Sequence, residues 1–338
     1  MVVTTKTLVA EAHKAGAPDV DERHISYLCR QGVLPHAKRT SDMNGGWAYP
    51  AITPFQLRAY VPLRKRMPLK EARFMLWLAG FPVEAELARA TMVAYLEKAA
   101  HHWRAELEEH ESPSRLADAI GDVLSRSRGK APIPHLVDMP LEERRLAYRW
   151  MAEQMVGTDE SADHDAGVLA FERAIGRRDK HGELYPEFAE DADFPGDLPQ
   201  TDPETLLLAA QGATRLELEF MRRVVHMQVV YGPIMFRQLA WEMKSASPFF
   251  QMVTAFPKEE PKLLIGIVAA GLASLSAKRD QAGHEAELRM HCDNLETGKV
   301  GLGLLEEFKD ATVLDALPEM DRLRVALELQ RRERAQAA

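Results

Sequence analysis

Arg23, His24, Ser26, Tyr27 and Arg30 carry hydrogen-bond donors at a spacing that gathers them on one side of a helix. Ile25, Leu28 and Cys29 fall between them as an apolar stripe for the opposite side. A second group follows: His36, Lys38 and Arg39, then Trp47 and Tyr49 beyond the turn-forming Asn44, Gly45 and Gly46. Arg58, Arg64 and Lys65 add a third basic run. Cations and aromatic donors in this order suit phosphate oxygens and base edges, which are bound and oriented without any covalent step.

Other candidate chemistry is thin. His284, His291 and Cys292 come nearest to a set of soft metal ligands, but surface or core histidines explain them more simply. His101, His102, Glu106 and Glu109 lie on a charged helix and are read as its solvent face. The run from Gly298 to Gly303 has neither the preceding strand nor the spacing of a nucleotide-binding loop. No nucleophile, base and orienting acid can be matched by spacing, so no catalytic residue, metal ligand or cofactor is assigned. With only Cys29 and Cys292 there is no disulfide framework. Soft and aromatic side chains from Met221 to Phe256 serve core packing first and an adaptable effector pocket second.

The elements that must position the basic groups follow from caps and breakers. Lys6 to Gly16 carries Leu8, Val9 and Ala12 as the stripe of a first helix, and Asp21 and Gly32 cap and end a second. Two short helices joined by a turn form a helix-turn-helix unit. Lys38 and Arg39, the glycine turn, and Trp47 and Tyr49 predict a β-hairpin. Thr53 followed by Pro54 predicts a cap and first-turn proline for a further helix, which Pro62 interrupts. After Phe81, Val93, Leu96, Ala100, Trp103 and Leu107 step by three and four residues, a narrow seam suited to a partner helix.

In this order the segment from Arg23 to Phe81 resembles the DNA-binding domain of the mercury-resistance-regulator (MerR) family. Gly32, Val33, Leu34 and Pro35 match that family's exit from the recognition helix, with Tyr27 and Arg23 matching its first tyrosine and starting arginine. Gly46, Trp47, Ala48 and Tyr49 match its wing, and Pro68 to Ala72 match the start of its last helix. Ser26 and Leu28 replace a usual arginine and second tyrosine, and the turn from Ala17 to Val20 is about two residues longer. The resemblance implies a homodimer on double-stranded promoter DNA at an inverted repeat, with the DNA bent or untwisted and RNA polymerase as a partner. It also puts the dimer contact on the seam helix. Metal-sensing relatives use cysteines that this chain lacks, and the stretch Asp179 to Leu184 lacks the final glycine of cobalamin-binding relatives.

Charge points the same way. Residues 1–80 hold 12 Lys and Arg against 6 Asp and Glu, a net of +6, while the whole chain is 43 minus 51, or −8, leaving −14 for the rest. A basic module on an acidic body suits phosphate binding. At 338 residues the chain is long enough for two or three domains. The expected layout is a winged helix-turn-helix over 1–80, a dimerisation helix over 81–112, a helical region over 113–185, an acidic Pro-rich loop over 186–203 and a helical C-terminal domain over 204–338. The fold class is thus mainly α with a small β-wing. Its longest apolar run, Leu263 to Leu275, is too short to span a bilayer, so a cytoplasmic location without membrane contact is expected. The function expected is a DNA-binding transcriptional regulator with a small-molecule effector at the C-terminal domain. The other expectation is a DNA-bending architectural or recombination factor whose C-terminal domain recruits a protein.

Overall fold

A computed structural model describes residues 3–39, 47–110, 112–126, 139–156, 164–188, 202–226 and 260–296. It is mainly α-helical. The order is α1 (Thr5–Lys14), α2 (Glu22–Arg30), β1 (Lys38–Arg39), β2 (Trp47–Ala48), α3 (Thr53–Arg64), α4 (Leu69–Leu78), α5 (Ala85–His110), α6 (Pro113–Arg126), α7 (Leu141–Val156), α8 (His164–Ala174) and α9 (Pro203–Gly212). Residues 215–226 form α10, and α11 (Pro261–Ser276) and α12 (His284–Glu296) follow. Among the described residues no helix is long and apolar enough to cross a membrane.

Local sequence explains the boundaries near the basic groups. Thr4 and Thr7 bond reciprocally and start α1. Gly16 N donates to His13 O and Ala17 N to Ala12 O, each at 3.0 Å, the six-to-one and five-to-two pattern that satisfies a helix's last carbonyls. The long turn that follows is held by a 2.8 Å contact between the His13 ring and Val20 O, with Ala17 and Val20 buried beneath it. Asp21 then accepts from His24 N at 2.7 Å and starts α2. Gly32 ends α2 at φ 66, with its N–H bonded to Cys29 O and that of Val33 to Leu28 O.

Two expectations change. Thr53 is not the cap of α3: Ile52 occupies that position, α3 begins at Thr53, and the Thr53 hydroxyl is buried without a partner. Thr53 N donates to Pro50 O and Phe55 N to Ile52 O, so a tight turn starts the helix with no side-chain cap. Pro62 does not interrupt α3, which runs on to Arg64, because it falls in the last turn and only one backbone bond is forgone.

The expected helical stretch from Glu204 is divided at Ala213 and Thr214. Thr214 Oγ1 accepts from Glu217 N, and Glu217 Oε2 accepts from Thr214 N, so a reciprocal cap opens α10. The helical signals over 227–243, 297–305 and 314–334 lie outside the described residues.

One core joins α1 to α5 with α9, α10 and α11. Leu8, Ile25, Leu28, Leu57 and Phe74 are fully buried in it, and Val268 and Ala269 of α11 belong to the same cluster. α5 lies along α9, with Arg89 donating to Ala213 O at one end and Arg104 bonded to Glu204 at the other, so the two run antiparallel. A second, smaller core holds Ala147, Tyr148, Ala170, Ala174 and Ile175 of α7, α8 and the turn after them.

Candidate nucleic-acid interface

The apolar stripe of α2 is buried as expected, with Ile25, Leu28 and Cys29 at most 5% exposed. Its other side, Arg23, Ser26, Tyr27 and Arg30, is exposed, and His24 is half-buried. The Ser26 hydroxyl donates back to Glu22 O at 3.0 Å, which leaves only its lone pairs for an outside partner. His24 and Tyr27 meet edge to face at 6.2 Å between centroids. The guanidinium groups of Arg23 and Arg30 form no hydrogen bond or ion pair among the described residues.

β1 and β2 pair antiparallel, with Lys38 opposite Ala48 and Arg39 opposite Trp47. His36, Lys38, Arg39 and Trp47 are exposed. The hairpin is tied to the body at its base, where Tyr49 N donates to Val3 O at 2.9 Å. Tyr49 itself turns inward. Its ring is half-buried against the core and burial pushes its hydroxyl pKa up, so Tyr49 anchors the base of the hairpin. Burial likewise raises the Cys29 thiol pKa, which keeps it protonated and unreactive.

The basic run on α3 is engaged within the chain. Arg58 pairs with Glu11 at 3.2 Å and lies over the Phe55 ring, Arg64 pairs with Asp19, and Lys65 donates to Gly16 O at 3.3 Å. The hydrogen bond from Arg64 holds the Asp19 carboxyl below its ordinary pKa. These three cations fasten α3 to α1 and to the turn before α2, so they brace the candidate interface from within the chain.

Two positioning residues escaped sequence reasoning. Gln56, fully buried on α3, donates to Val33 O at the exit of α2. Arg73 of α4 donates to Gln31 O at 2.8 Å and to Leu87 O at 3.4 Å, bridging the end of α2 to the first turn of α5. Burial lowers the Arg73 pKa, yet the group is far too basic to lose its charge. An arginine inside the run ARFMLWL was the available signal; nothing marked Gln56 as buried.

Along the expected dimer seam, Leu96 and Ala100 are buried within this one chain, and Leu96 belongs to the core shared with α9. Val93, Trp103 and Leu107 are half-buried. His284 is buried, His291 is exposed beside Glu287 at 3.6 Å, and Cys292 is buried. Among the described residues no three His, Cys, Asp or Glu side chains converge to hold a metal. No protein-family model matches the chain, and no curated protein or solved structure matches it.

Proposed function

We propose that the chain is a DNA-binding transcriptional regulator in which α1, α2, the hairpin and α3 act as a winged helix-turn-helix module. The observation that carries this reading is the division of the cations. Arg58, Arg64 and Lys65 are engaged internally, whereas Arg23, Arg30, Lys38 and Arg39 stand exposed around Tyr27 and Trp47 with no partner in the described chain. Exposed, unpaired guanidinium and ammonium groups on one helix face and its adjoining hairpin are complementary to a polyanion with a groove wide enough for a helix. The MerR-like order of motifs supports the same reading and brings a two-fold dimer with it. In that dimer, Trp103 and Leu107 of α5 are the seam residues left for a second copy.

The test is a salt titration of duplex binding. Each phosphate contact contributes roughly −0.9 to the slope of log K against log salt. Replacing Lys38 and Arg39 by alanine removes two contacts from each protomer and is expected to flatten that slope by about 3.6 for the dimer, or about 1.8 for a single protomer, and to weaken all sequences alike. Replacing Arg64 by alanine is expected to leave the slope unchanged. Equal slopes for wild type and the Lys38/Arg39 variant would remove the hairpin from the interface.

A further inference from the structure

Trp47 is 66% exposed, against 43% for Tyr27, although it sits on a strand of two residues with an indole to cover. Its position is fixed. Opposite residues of an antiparallel pair share a face, so Trp47 stands beside Arg39. Just past β2, Tyr49 N donates to Val3 O at 2.9 Å and the Tyr49 ring packs against the core, which holds the base of the hairpin. The exposed indole and Arg39 therefore extend from a base that is held against the body of the molecule.

From this placement we infer that Trp47 is a wedge for duplex DNA: its indole enters the minor groove adjoining the groove held by α2 and inserts part-way between two base pairs, while Arg39 and Lys38 lie on the flanking phosphates. The inference rests on the DNA-binding reading. A minor groove about 6 Å wide admits a flat ring but no helix. An apolar side chain inserted there unstacks one step and kinks the duplex, and bases stack on aromatic faces whatever their identity. Charge complementarity selects the occupant, because Arg39 stands beside the indole, the exposed His36 and Lys38 add positive charge along the same strand and its approach, and no carboxylate on the described part of the hairpin opposes them. The deformation is easiest at a pyrimidine–purine step, so the wedge selects TA or CA/TG at a position where no base edge is read.

The experiment uses the full chain and a duplex that it selects from a randomised pool, with 2-aminopurine placed in turn at each position flanking the selected core. Saturating wild-type protein is expected to raise 2-aminopurine fluorescence several-fold at one step. Trp47→Ala is expected to abolish that rise, Trp47→Phe to keep much of it, and Lys38→Ala to weaken binding while keeping it. Unchanged far-ultraviolet circular dichroism checks that each variant folds. Binding without a rise at any position, or a rise that survives Trp47→Ala, would overturn the wedge and leave DNA binding standing. If the wild type enriches no duplex and binds none at low salt, the DNA-binding reading itself falls.

Discussion

At the scale of single residues, the candidate interface depends on groups that never face outward. Gly32 carries two requirements at once: φ of +66 to end α2, and space for Leu87, whose Cδ1 would lie 2.3 Å from an added Cβ. Gly32→Ala is therefore expected to cost roughly 1–3 kcal/mol, measured by denaturant unfolding, mainly through backbone strain at positive φ, with the Leu87 side chain shifting aside. A cost below about 0.5 kcal/mol would mean that the α2 exit and α5 are not packed as described. Gln56 and Arg73 act on the same corner from α3 and α4, holding Val33 O and Gln31 O. The outward set was legible because donors and apolar residues alternate at helical spacing in ERHISYLCR. The inward set was not, since a buried glutamine or arginine is defined by the carbonyl it meets, and those partners lie 23 and 42 residues away in sequence. The half-buried placement of Tyr49 was hidden for a similar reason: just past a two-residue strand, nothing local distinguishes a ring that anchors from a ring that is presented.

Among the elements, α5 shows how a periodic stripe specifies that a helix is covered but not by what. The step of three and four residues from Val93 to Leu107 fits a second copy of the chain or α9 equally well. Within the chain, α9 lies along α5, and Leu96 is 2% exposed. The two arrangements separate by mutation. Leu96→Glu leaves an unpaired charge in the monomer's core and is expected to cost roughly 3–5 kcal/mol of folding stability by thermal or denaturant unfolding. Trp103→Glu with Leu107→Glu, at half-buried positions, is expected to keep the fold and abolish the dimer in sedimentation. Should that double variant still sediment as a dimer, the two-fold contact lies away from α5. The division between α9 and α10 was within reach of the sequence, because Thr214, Arg215, Leu216 and Glu217 form the spacing of a reciprocal cap inside a continuous helical pattern.

For the molecule as a whole, the core that buries α2 also buries parts of α9, α10 and α11. Glu217, 2% exposed, and Arg279 tie α10 to the turn after α11 through two 3.0 Å bonds. Burial alone would raise the Glu217 pKa, but bonds from Arg279 and Thr214 hold it below the ordinary carboxylate value. A lowered folded pKa contributes stability above the unfolded value, about 4.3, and loses it as pH falls through the folded one. Glu217→Gln is thus expected to cost about 1–3 kcal/mol near neutrality, discounted because Arg279 is a third exposed, and to flatten the acid limb of stability against pH. An acid limb as steep as wild type would exclude Glu217 as its source. The chain order conceals this shared core, since α6, α7 and α8 intervene and pack on one another around their own smaller cluster. That order yields opposite outcomes for two deletions. Truncation after residue 112 uncovers Met92 and Leu96 and is expected to abolish cooperative unfolding. Excision of 113–200 leaves the shared core whole. The bond between Arg104 and Glu204 brings α5 beside the start of α9, and six further residues carry α5 about 9 Å beyond it. A Gly/Ser linker of about eight residues, with a root-mean-square span near 16 Å, closes that gap. The excised protein is expected to unfold in a single transition and to retain the salt slope of the full chain for duplex binding. Loss of both while the truncated form keeps them would place the supporting core within residues 1–112 and make the later helices an independent unit.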